Sequence, residues 1–408
     1  MIDQSFSYKQ FKKLQKRGDF LSQDIDTKVL KQQLIDLEVK LSDIEQYSFS
    51  ALKSIMKDDK KIYFLDKNNE NCIFDDFILR KINHNIKRIY KVKQSNRNII
   101  ISQIYNLLKE NSKCYIYRLD IHSFYESIDR TKILQKIIDS SIISAETKVL
   151  LEKFFEHTKE CSGLPRGINI SATLSELYMS TFDHKIISTK GVYYYARFVD
   201  DIIIFSYEKL ETAELEKMLT EETGLIFNVL KTKELCLDFI KDEVLEYLGY
   251  QYIIKSNKKN NGIDCITVNI SKKKLNKIKS RIIYALLDYN KNKNFKLLQN
   301  RFLLLTCTYP IKTSQQKISP FKNTGYLQAG LFFNYLKLSE NNSSLEELDN
   351  FKLKILTHNN KYSKCLNINQ KKQLLKYSFK IAYNRKLTRK CWGKYKQLKS
   401  FMRCWKYV

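Results

Sequence analysis

Two adjacent aspartates, Asp200 and Asp201, lie between an apolar, aromatic run at residues 195–199 and an apolar run rich in β-branched residues at 202–205. This pattern predicts a β-hairpin with acid at its turn. Two carboxylates held that close repel each other unless a cation lies between them. Asp-Asp pairs also occur in ordinary solvated turns, and the chain has a second pair at residues 75–76. The pair indicates a divalent-metal site only together with its neighbours.

Another strand pattern, at residues 115–121, places Asp120 near its end, eighty residues before Asp200. Three carboxylates at neighbouring strand ends would form a two-metal site, with the ions about 3.5–4 Å apart. Such a site activates an attacking hydroxyl and stabilises a leaving pyrophosphate. The predicted chemistry is that of a nucleotidyltransferase.

A short loop between these strands is rich in residues that shape the backbone. The chain has only three prolines and ten glycines, yet Gly163, Pro165 and Gly167 fall within five residues. Backbone amides can approach a ligand closely in such a loop. The apolar spacing that follows predicts a helix capped by Ser171. A site beside nucleotide and template and a purely structural junction both remain open.

These blocks, in this order and spacing, resemble the palm of reverse transcriptases. The blocks are Asp120 followed by Phe124 and Tyr125, then Leu-Pro-Arg-Gly at 164–167, then Phe-Val-Asp-Asp at 198–201. The resemblance implies an α+β, right-hand polymerase fold with fingers, a palm of antiparallel sheet plus helices, and a helical thumb and C-terminal region.

Further motifs extend the resemblance over roughly residues 80–250. Residues 224–232 are similar to the next palm motif, and Leu248, Gly249 and Tyr250 are similar to the primer-grip turn. The loop residues Gly163, Pro165, Gly167 and Ser171 are, by the same resemblance, expected beside primer and template.

The resemblance implies a role for each acidic residue. Asp120 and Asp200 would bind two Mg²⁺ ions, with Mn²⁺ as an alternative, and Asp201 would be a more peripheral acid. The Ile121 carbonyl would supply a further oxygen, and hard oxygen donors suit Mg²⁺.

The resemblance also implies a nucleotide-binding set. Tyr125 would pack against the sugar and exclude a 2′-hydroxyl, which predicts deoxynucleotide use; a core aromatic is the alternative. Lys93 and Arg97 would grip the triphosphate. Lys231 would protonate or steady the leaving pyrophosphate, unless it is a solvated surface lysine. Arg166 completes the set.

Two departures distinguish the chain from most retroviral, retron and intron enzymes, which carry Gln at the position of Arg166 and Tyr at that of Phe198. Arg can make forked contacts with a phosphate or a guanine edge. Residues 164–176 resemble bacterial abortive-infection and antiphage defence reverse transcriptases, and residues 3–8 and 90–97 resemble the shorter polymerase of type 3 defence systems. This resemblance implies a second reverse transcriptase and a non-coding RNA as partners.

Charge points to a polyanionic partner. The net charge is +28 over 408 residues, far more than solubility requires. Residues 361–408 hold fifteen Lys or Arg, nine aromatics and no acid, which predicts a folded nucleic-acid-contacting element, helical around 371–403. A basic helix is also predicted near 272–286. The expected nucleic-acid surface comprises Lys272, Lys277, Arg281, Arg389, Lys390 and Trp392.

We expect four regions: 1–115, fingers-like and mostly helical; 116–250, a palm with the carboxylates; 251–340, thumb-like; and 341–408, a basic, aromatic-rich helical region. The polar residues 339–344 are the expected linker. Nine cysteines without metal-ligand spacing predict reduced thiols and a cytoplasmic protein. No apolar run is long enough to span a membrane.

The predicted function is an RNA-directed DNA polymerase that adds deoxynucleotides by a two-metal mechanism in bacterial antiviral defence. Its expected partners are RNA, DNA, deoxynucleoside triphosphates and a non-coding RNA. The alternatives are a retron or group II intron-type reverse transcriptase, and a catalytically idle RNA-binding scaffold.

Overall fold

The structure is a computed structural model that describes residues 2–16, 19, 26–57, 59–257, 262–311, 327–358, 361–387 and 400–405. The chain forms two compact units. The first contains the described residues up to Ile100 together with Lys113–Cys236, and the second contains Ile101–Ser112 and the described residues from Leu237 onwards.

The first unit is mostly helical. Its helices are α1 (Tyr8–Lys13), α2 (Thr27–Lys40), α3 (Cys72–Ile89), the start of α4 (Arg97–Lys109), α5 (Phe124–Ser127), α6 (Arg130–Ile138), α7 (Ala145–His157), α8 (Asn169–Ile187) and α9 (Thr212–Thr223). A 3₁₀ segment, Leu41–Gln46, follows α2. Helices α3 and α8 pack against each other, and side chains such as Phe77, Ile82, Leu174 and Phe182 are buried between the elements. Each buried side chain of this size contributes roughly 1.5–3 kcal/mol.

A four-stranded sheet lies at the centre of this unit. Its strands are β3 (Cys114–Asp120), β4 (Val192–Phe198), β5 (Asp201–Ser206) and β6 (Lys233–Leu237), in the order β4-β5-β3-β6. Strand β5 pairs antiparallel with both β4 and β3. Residues 202–205 of β5 are fully buried, which explains their continuous apolar character. The hairpin predicted around the acidic pair is present.

A second hairpin in the first unit was not predicted from the sequence. Strands β1 (Leu52–Lys57) and β2 (Lys60–Leu65) pair antiparallel, and Asp59 in their turn has a φ of 58°. All but the first residue of β1 is exposed, so its sequence lacks the alternation of a half-buried strand. The hairpin therefore presents lysines to solvent.

The second unit contains the meander β7 (Glu243–Tyr247), β8 (Tyr250–Asn257) and β9 (Gly262–Ile270), and the small pair β10 (Thr308–Ile311) and β11 (Leu327–Gly330). Its helices are α10 (Lys272–Asn292), α11 (Phe295–Thr306), α12 (Leu331–Asn334), α13 (Ser344–Thr357), α14 (Ile368–Leu375) and α15 (Phe379–Asn384). A 3₁₀ turn, Arg403–Trp405, packs on α10. In place of the single helix predicted at 371–403, the described part of this span contains the short helices α14 and α15 and a helical turn at residues 400–402.

The polar stretch expected as a linker is instead bonded along the edge of β9. The Ser339 amide donates to the Val268 carbonyl at 3.1 Å, and the Ile270 amide donates to the Ser344 hydroxyl at 2.9 Å. Asn342 and Ser344 are buried. These polar side chains satisfy strand donors and acceptors, so their composition reflects sheet-edge bonding.

No helix in the described ranges has the length and apolar character needed to cross a membrane.

Candidate active site

The three predicted acids come together at one end of the central sheet. Asp120, the last residue of β3, lies directly opposite Asp201, the first residue of β5. Asp200 is in the turn before β5, and its carbonyl accepts a hydrogen bond from the Ile121 amide at 3.1 Å. Directly opposite residues in an antiparallel pair share a face of the sheet. The register thus places two carboxylates side by side and the third next to them.

Burial and the charges of neighbouring carboxylates disfavour ionisation of Asp200 and Asp201. The pKa of Asp201 is raised to about 6, chiefly by burial and then by the charge of the neighbouring Asp200, while Arg118 and Lys231 oppose the shift. Burial also raises the pKa of Asp200, with the Asp120 charge adding to the effect. Clustered carboxylates with raised pKa values are stabilised by a bound cation.

The carboxylate oxygens of Asp120, Asp200 and Asp201 suit part of the coordination shell of Mg²⁺. Carboxylate oxygens are hard donors, and Mg²⁺ is commonly held by one or two carboxylates while water and substrate phosphates supply the remaining ligands. Within the described residues, no three Asp, Glu, His or Cys groups form a metal cluster on their own. Asp120, Asp200 and Asp201 could supply the carboxylate part of such a shell.

Lys231 contacts the acids more closely than Arg118 does, whose Nη2 lies 3.9 Å from Asp201 Oδ1. The Lys231 Nζ lies 2.8 Å from Asp120 Oδ1, and its side chain is 51% exposed. The segment that carries it is bonded to the end of β3, because the Asn228 amide donates to the Asp120 carbonyl at 2.7 Å and the His122 amide donates to the Ile226 carbonyl at 3.0 Å. The motif at 224–232 thus brings Lys231 to the acids.

The turn that carries Asp200 is held in an unusual backbone conformation. Val199 has a φ of 63°, which costs a β-branched residue free energy. Its carbonyl accepts a hydrogen bond from Arg197 Nη1 at 3.1 Å. Arg197 also contacts Glu176 and Asp183 of α8, each at 2.7 Å, and its own side chain is 3% exposed. This buried network fixes the turn to α8.

Sequence reasoning missed the Arg197 network. Its signal is an arginine inside an otherwise apolar strand, with two acids seven residues apart on the preceding helix, a spacing that places them on one helix face. The sequence does not show that β4 packs against α8, and this packing brings Arg197 to the two acids.

The glycine-rich loop packs against backbone on both sides. Gly163 has a φ of 55°, and a Cβ there would lie 2.1 Å from the Tyr125 carbonyl oxygen. Gly167 has a φ of 106°, and a Cβ there would lie 2.5 Å from the Tyr63 carbonyl oxygen. The Leu164 amide donates to the Tyr125 carbonyl at 2.7 Å. The close approaches that require these glycines are to the protein itself.

Arg130, which the sequence did not single out, is hydrogen-bonded to the backbone of residues 158–163, which lead into the same loop. Its guanidinium donates to the carbonyls of Thr158 at 2.8 Å, of Cys161 and of Gly163. One planar fork therefore satisfies three loop carbonyls.

Ser171 is not the cap of helix α8, as the sequence suggested. The N-cap residue is Ile168, and the buried Ser171 hydroxyl donates to the Pro165 carbonyl at 2.8 Å. The hydroxyl lies in the first turn of the helix and fastens the loop to it, so the helix begins three residues earlier than a serine cap implies.

Tyr125 and Arg166 are in contact. The Arg166 guanidinium carbon lies 4.8 Å from the centre of the Tyr125 ring, and the Arg166 fork is bonded to the Glu126 carboxylate. Burial raises the pKa of Tyr125, whereas a hydrogen bond with Ser175 and the Arg166 charge lower it. The forked contact expected toward phosphate or guanine is made here to a carboxylate.

The remaining predicted nucleotide contacts lie outside this group of acids. Lys93 is exposed in the segment after α3, and Arg97 is the first residue of α4. Lys60 of the β1–β2 hairpin, not predicted, lowers the pKa of Asp200 through its charge.

The other predicted residues belong to the second unit. Leu248 and Gly249 form the β7–β8 turn with positive φ values of 45° and 84°, and Tyr250 is buried. On α10, Lys272 is exposed and Lys277 half-buried. Arg281 lies over the Trp405 ring, with its guanidinium carbon 5.8 Å from the ring centre. Arg389, Lys390 and Trp392 lie outside the described residues.

The family described as reverse transcriptase (RNA-dependent DNA polymerase) matches residues 23–252. This span is more than half of the chain, and the chain therefore belongs to the reverse transcriptase family. Membership confirms the family, the α+β polymerase fold class and, at the level of the family, the enzyme class expected from the motifs. No curated protein sequence matches the chain.

Among solved structures, the chain is similar to apo telomerase from Candida tropicalis truncated from the C-terminal domain, with 14% identity, 51% of this chain and 54% of that chain covered, and a TM-score of 0.36. It is similar to Candida albicans telomerase in complex with a fragment of telomeric RNA. The identity is 9%, the match covers 89% of this chain and 62% of that chain, and the TM-score is 0.38. It is also similar to apo telomerase from Candida tropicalis, with 11% identity, 87% of this chain and 64% of that chain covered, and a TM-score of 0.39. The chain thus spans less than two thirds of the length of these telomerases.

Proposed function

We propose that this protein is an RNA-directed DNA polymerase that adds deoxynucleotides by a two-metal mechanism. The observation that carries the proposal is the register of β3 with β5, which sets Asp120 opposite Asp201 with Asp200 in the adjoining turn. Membership of the reverse transcriptase family supports it.

In this proposal Asp120 and Asp200 would hold two Mg²⁺ ions together with the Ile121 carbonyl, and Asp201 would contribute charge from the periphery. The bound ions supply activation of the primer hydroxyl and stabilisation of the pyrophosphate. Lys231, already at the edge of the acids, would leave Asp120 and contact the leaving pyrophosphate. There it would donate a proton to the pyrophosphate or stabilise its negative charge.

The proposal also assigns the substrate contacts. Tyr125 faces the sugar and excludes a 2′-hydroxyl, and Lys60, Lys93 and Arg97 bind the triphosphate. The loop at 163–171 and the turn at 248–250 contact primer and template. Lys272, Lys277 and the basic C-terminal residues track the nucleic-acid backbone.

We place this activity in bacterial antiviral defence, with a non-coding RNA and a second reverse transcriptase as partners. Support comes from the resemblance of residues 3–8, 90–97 and 164–176 to defence enzymes. In the structure the first of these segments is fastened to α3: Lys81 Nζ donates to the Asp3 carbonyl at 2.8 Å, and Asn85 donates to the Gln4 carbonyl at 2.9 Å.

The test is nucleotide incorporation by protein purified with its co-expressed native locus. Each labelled deoxynucleotide and ribonucleotide is offered with and without Mg²⁺, to the wild type, to Asp200→Asn and to Asp36→Asn, an exposed aspartate of α2 that serves as matched control. We expect Mg²⁺-dependent deoxynucleotide incorporation that falls at least ~100-fold in Asp200→Asn only, about 2.7 kcal/mol of barrier. Prior treatment with RNase tests the template.

The absence of incorporation by the wild type, with RNA still bound, would contradict the polymerase and favour the RNA-binding scaffold. Equal incorporation by Asp200→Asn would contradict the assignment of the carboxylates.

A further inference from the structure

Glu126 and Arg166 form a fixed pair beside Tyr125. Arg166 Nε donates to Glu126 Oε1 and Nη2 donates to Oε2, both at 3.1 Å. The Arg166 side chain is 22% exposed and the Glu126 side chain is 33% exposed. A bidentate arginine–carboxylate contact fixes the orientation of the guanidinium plane as well as its position.

Backbone contacts hold both ends of this pair. The Ser162 hydroxyl donates to the Glu126 carbonyl at 2.9 Å. The Tyr63 amide of β2 donates to the Arg166 carbonyl at 2.7 Å. Neither residue can shift without breaking a loop contact, so the guanidinium is a rigid element of the structure.

That guanidinium covers one face of the Tyr125 ring at 4.8 Å from its centre, within the range of a cation–π contact. The Phe124 ring packs edge-on against the Tyr125 ring, with 5.4 Å between ring centres. The Tyr125 ring is therefore packed at one face by the guanidinium and along an edge by Phe124.

We infer that Glu126 and Arg166 are positioning residues for Tyr125, and that their ion pair sets how strongly ribonucleoside triphosphates are rejected relative to deoxyribonucleoside triphosphates. The inference rests on the proposed function and on Tyr125 facing the sugar. A ring excludes a 2′-hydroxyl only if it cannot yield, and displacements of about 1 Å change such discrimination strongly. The guanidinium prevents the ring from yielding, and Glu126 prevents the guanidinium from moving.

The competing use of Arg166 is direct contact with the triphosphate. Glu126 would then be an inhibitor that holds the guanidinium away from substrate, and its removal would improve binding of both nucleotide types. The two uses predict opposite results for Glu126→Gln.

The experiment measures kcat/KM separately for a deoxynucleotide and its matching ribonucleotide in the wild type, Arg166→Gln, Glu126→Gln and the double variant. We expect each single change to lower the deoxy-to-ribo preference, the ratio of the two kcat/KM values, about tenfold, because ribonucleotide use rises relative to deoxynucleotide use. Because the residues act as one unit, the double variant should lose no more than either single variant.

Two further variants keep the result interpretable. Arg166→Lys retains the charge but cannot form the fork, so it should also lose preference even where Arg166→Gln unfolds. Glu208→Gln breaks an exposed ion pair with Lys190, 3.0 Å long, and should leave the preference unchanged.

The inference is overturned if Glu126→Gln leaves the preference unchanged, or if Arg166→Gln raises KM equally for both nucleotides. Failure of the proposed function is a different result, since the wild type itself would then incorporate no deoxynucleotide.

Discussion

The ammonium of Lys231 lies 2.8 Å from Oδ1 of Asp120, so a side-chain cation contacts the carboxylate at the end of β3. Any metal ion that uses Asp120 must share or displace this contact. The lysine is half exposed, which allows it to leave without unpacking the sheet.

Replacement of Lys231 by Met should therefore tighten Mg²⁺ binding severalfold in the absence of nucleotide, because the competing cation is gone. Incorporation should slow at the same time, since the leaving pyrophosphate loses its partner. Calorimetric Mg²⁺ titration and single-turnover incorporation measure the two effects. Lys233→Met, an exposed change two residues away, is the control; unchanged or weaker metal binding in Lys231→Met would refute the competition.

Removal of the Arg197 charge should destabilise the first unit. In Arg197→Met the carboxylates of Glu176 and Asp183 lose the guanidinium that contacts both of them. Loss of one partner of a buried ion pair costs about 3–5 kcal/mol. Urea unfolding of the full chain measures the loss, with the exposed Arg88→Met as control. A cost below 1 kcal/mol would show that the network does not hold the turn.

Alanine at two glycines with positive φ should have very different costs. At Gly224 no atom lies within 4 Å of an added Cβ, so Gly224→Ala carries only the left-handed backbone penalty of about 1–2 kcal/mol. At Gly163 the added Cβ would also meet the Tyr125 carbonyl at 2.1 Å. We expect Gly163→Ala to lose more stability in thermal unfolding and to impair incorporation. Equal effects of the two changes would argue against a tight loop.

Asp349 in the second unit should produce a measurable pH dependence of stability. Burial alone would raise its pKa, but hydrogen bonds from Lys352 and Ser378, among others, bring it below the ordinary value of 3.8. An aspartate with a lowered folded-state pKa stabilises the fold above its unfolded pKa, and this contribution is lost as the pH falls through the folded value. Asp349→Asn should cost about 1–3 kcal/mol near neutral pH.

Denaturant midpoints of the wild type and Asp349→Asn, compared from pH 7 to below pH 3.8, test this sign. The difference should be constant at higher pH and shrink at the acidic end. A difference that grows on acidification would contradict it.

The sequence predicted the elements that carry the acids because those elements are local. The β-branched run of β5 and the short strand before Asp120 each have a pattern readable within a few residues, and their order along the chain matched a known family. Turn chemistry likewise marked the loop at 163–167.

The interactions that support the site were not predictable in the same way. Arg166 was expected to contact substrate, yet its partner Glu126 lies forty residues earlier in the sequence, and no local pattern links the two. The sequence predicts a cap at Ser171 because a serine near the start of a helix usually is one. Its hydroxyl instead donates to the Pro165 carbonyl of the loop, a contact that only the packed structure shows.

The pairing of Asp120 with Asp201 also limits how the length of this chain can change. Side chains alternate faces along a strand, so one inserted or deleted residue inside β3 or β5 would turn a carboxylate to the opposite side of the sheet. Substitutions around the acids can be compensated by neighbours, but a change of length within these strands cannot. Variation in length should therefore be confined to connections such as residues 207–211, between β5 and α9.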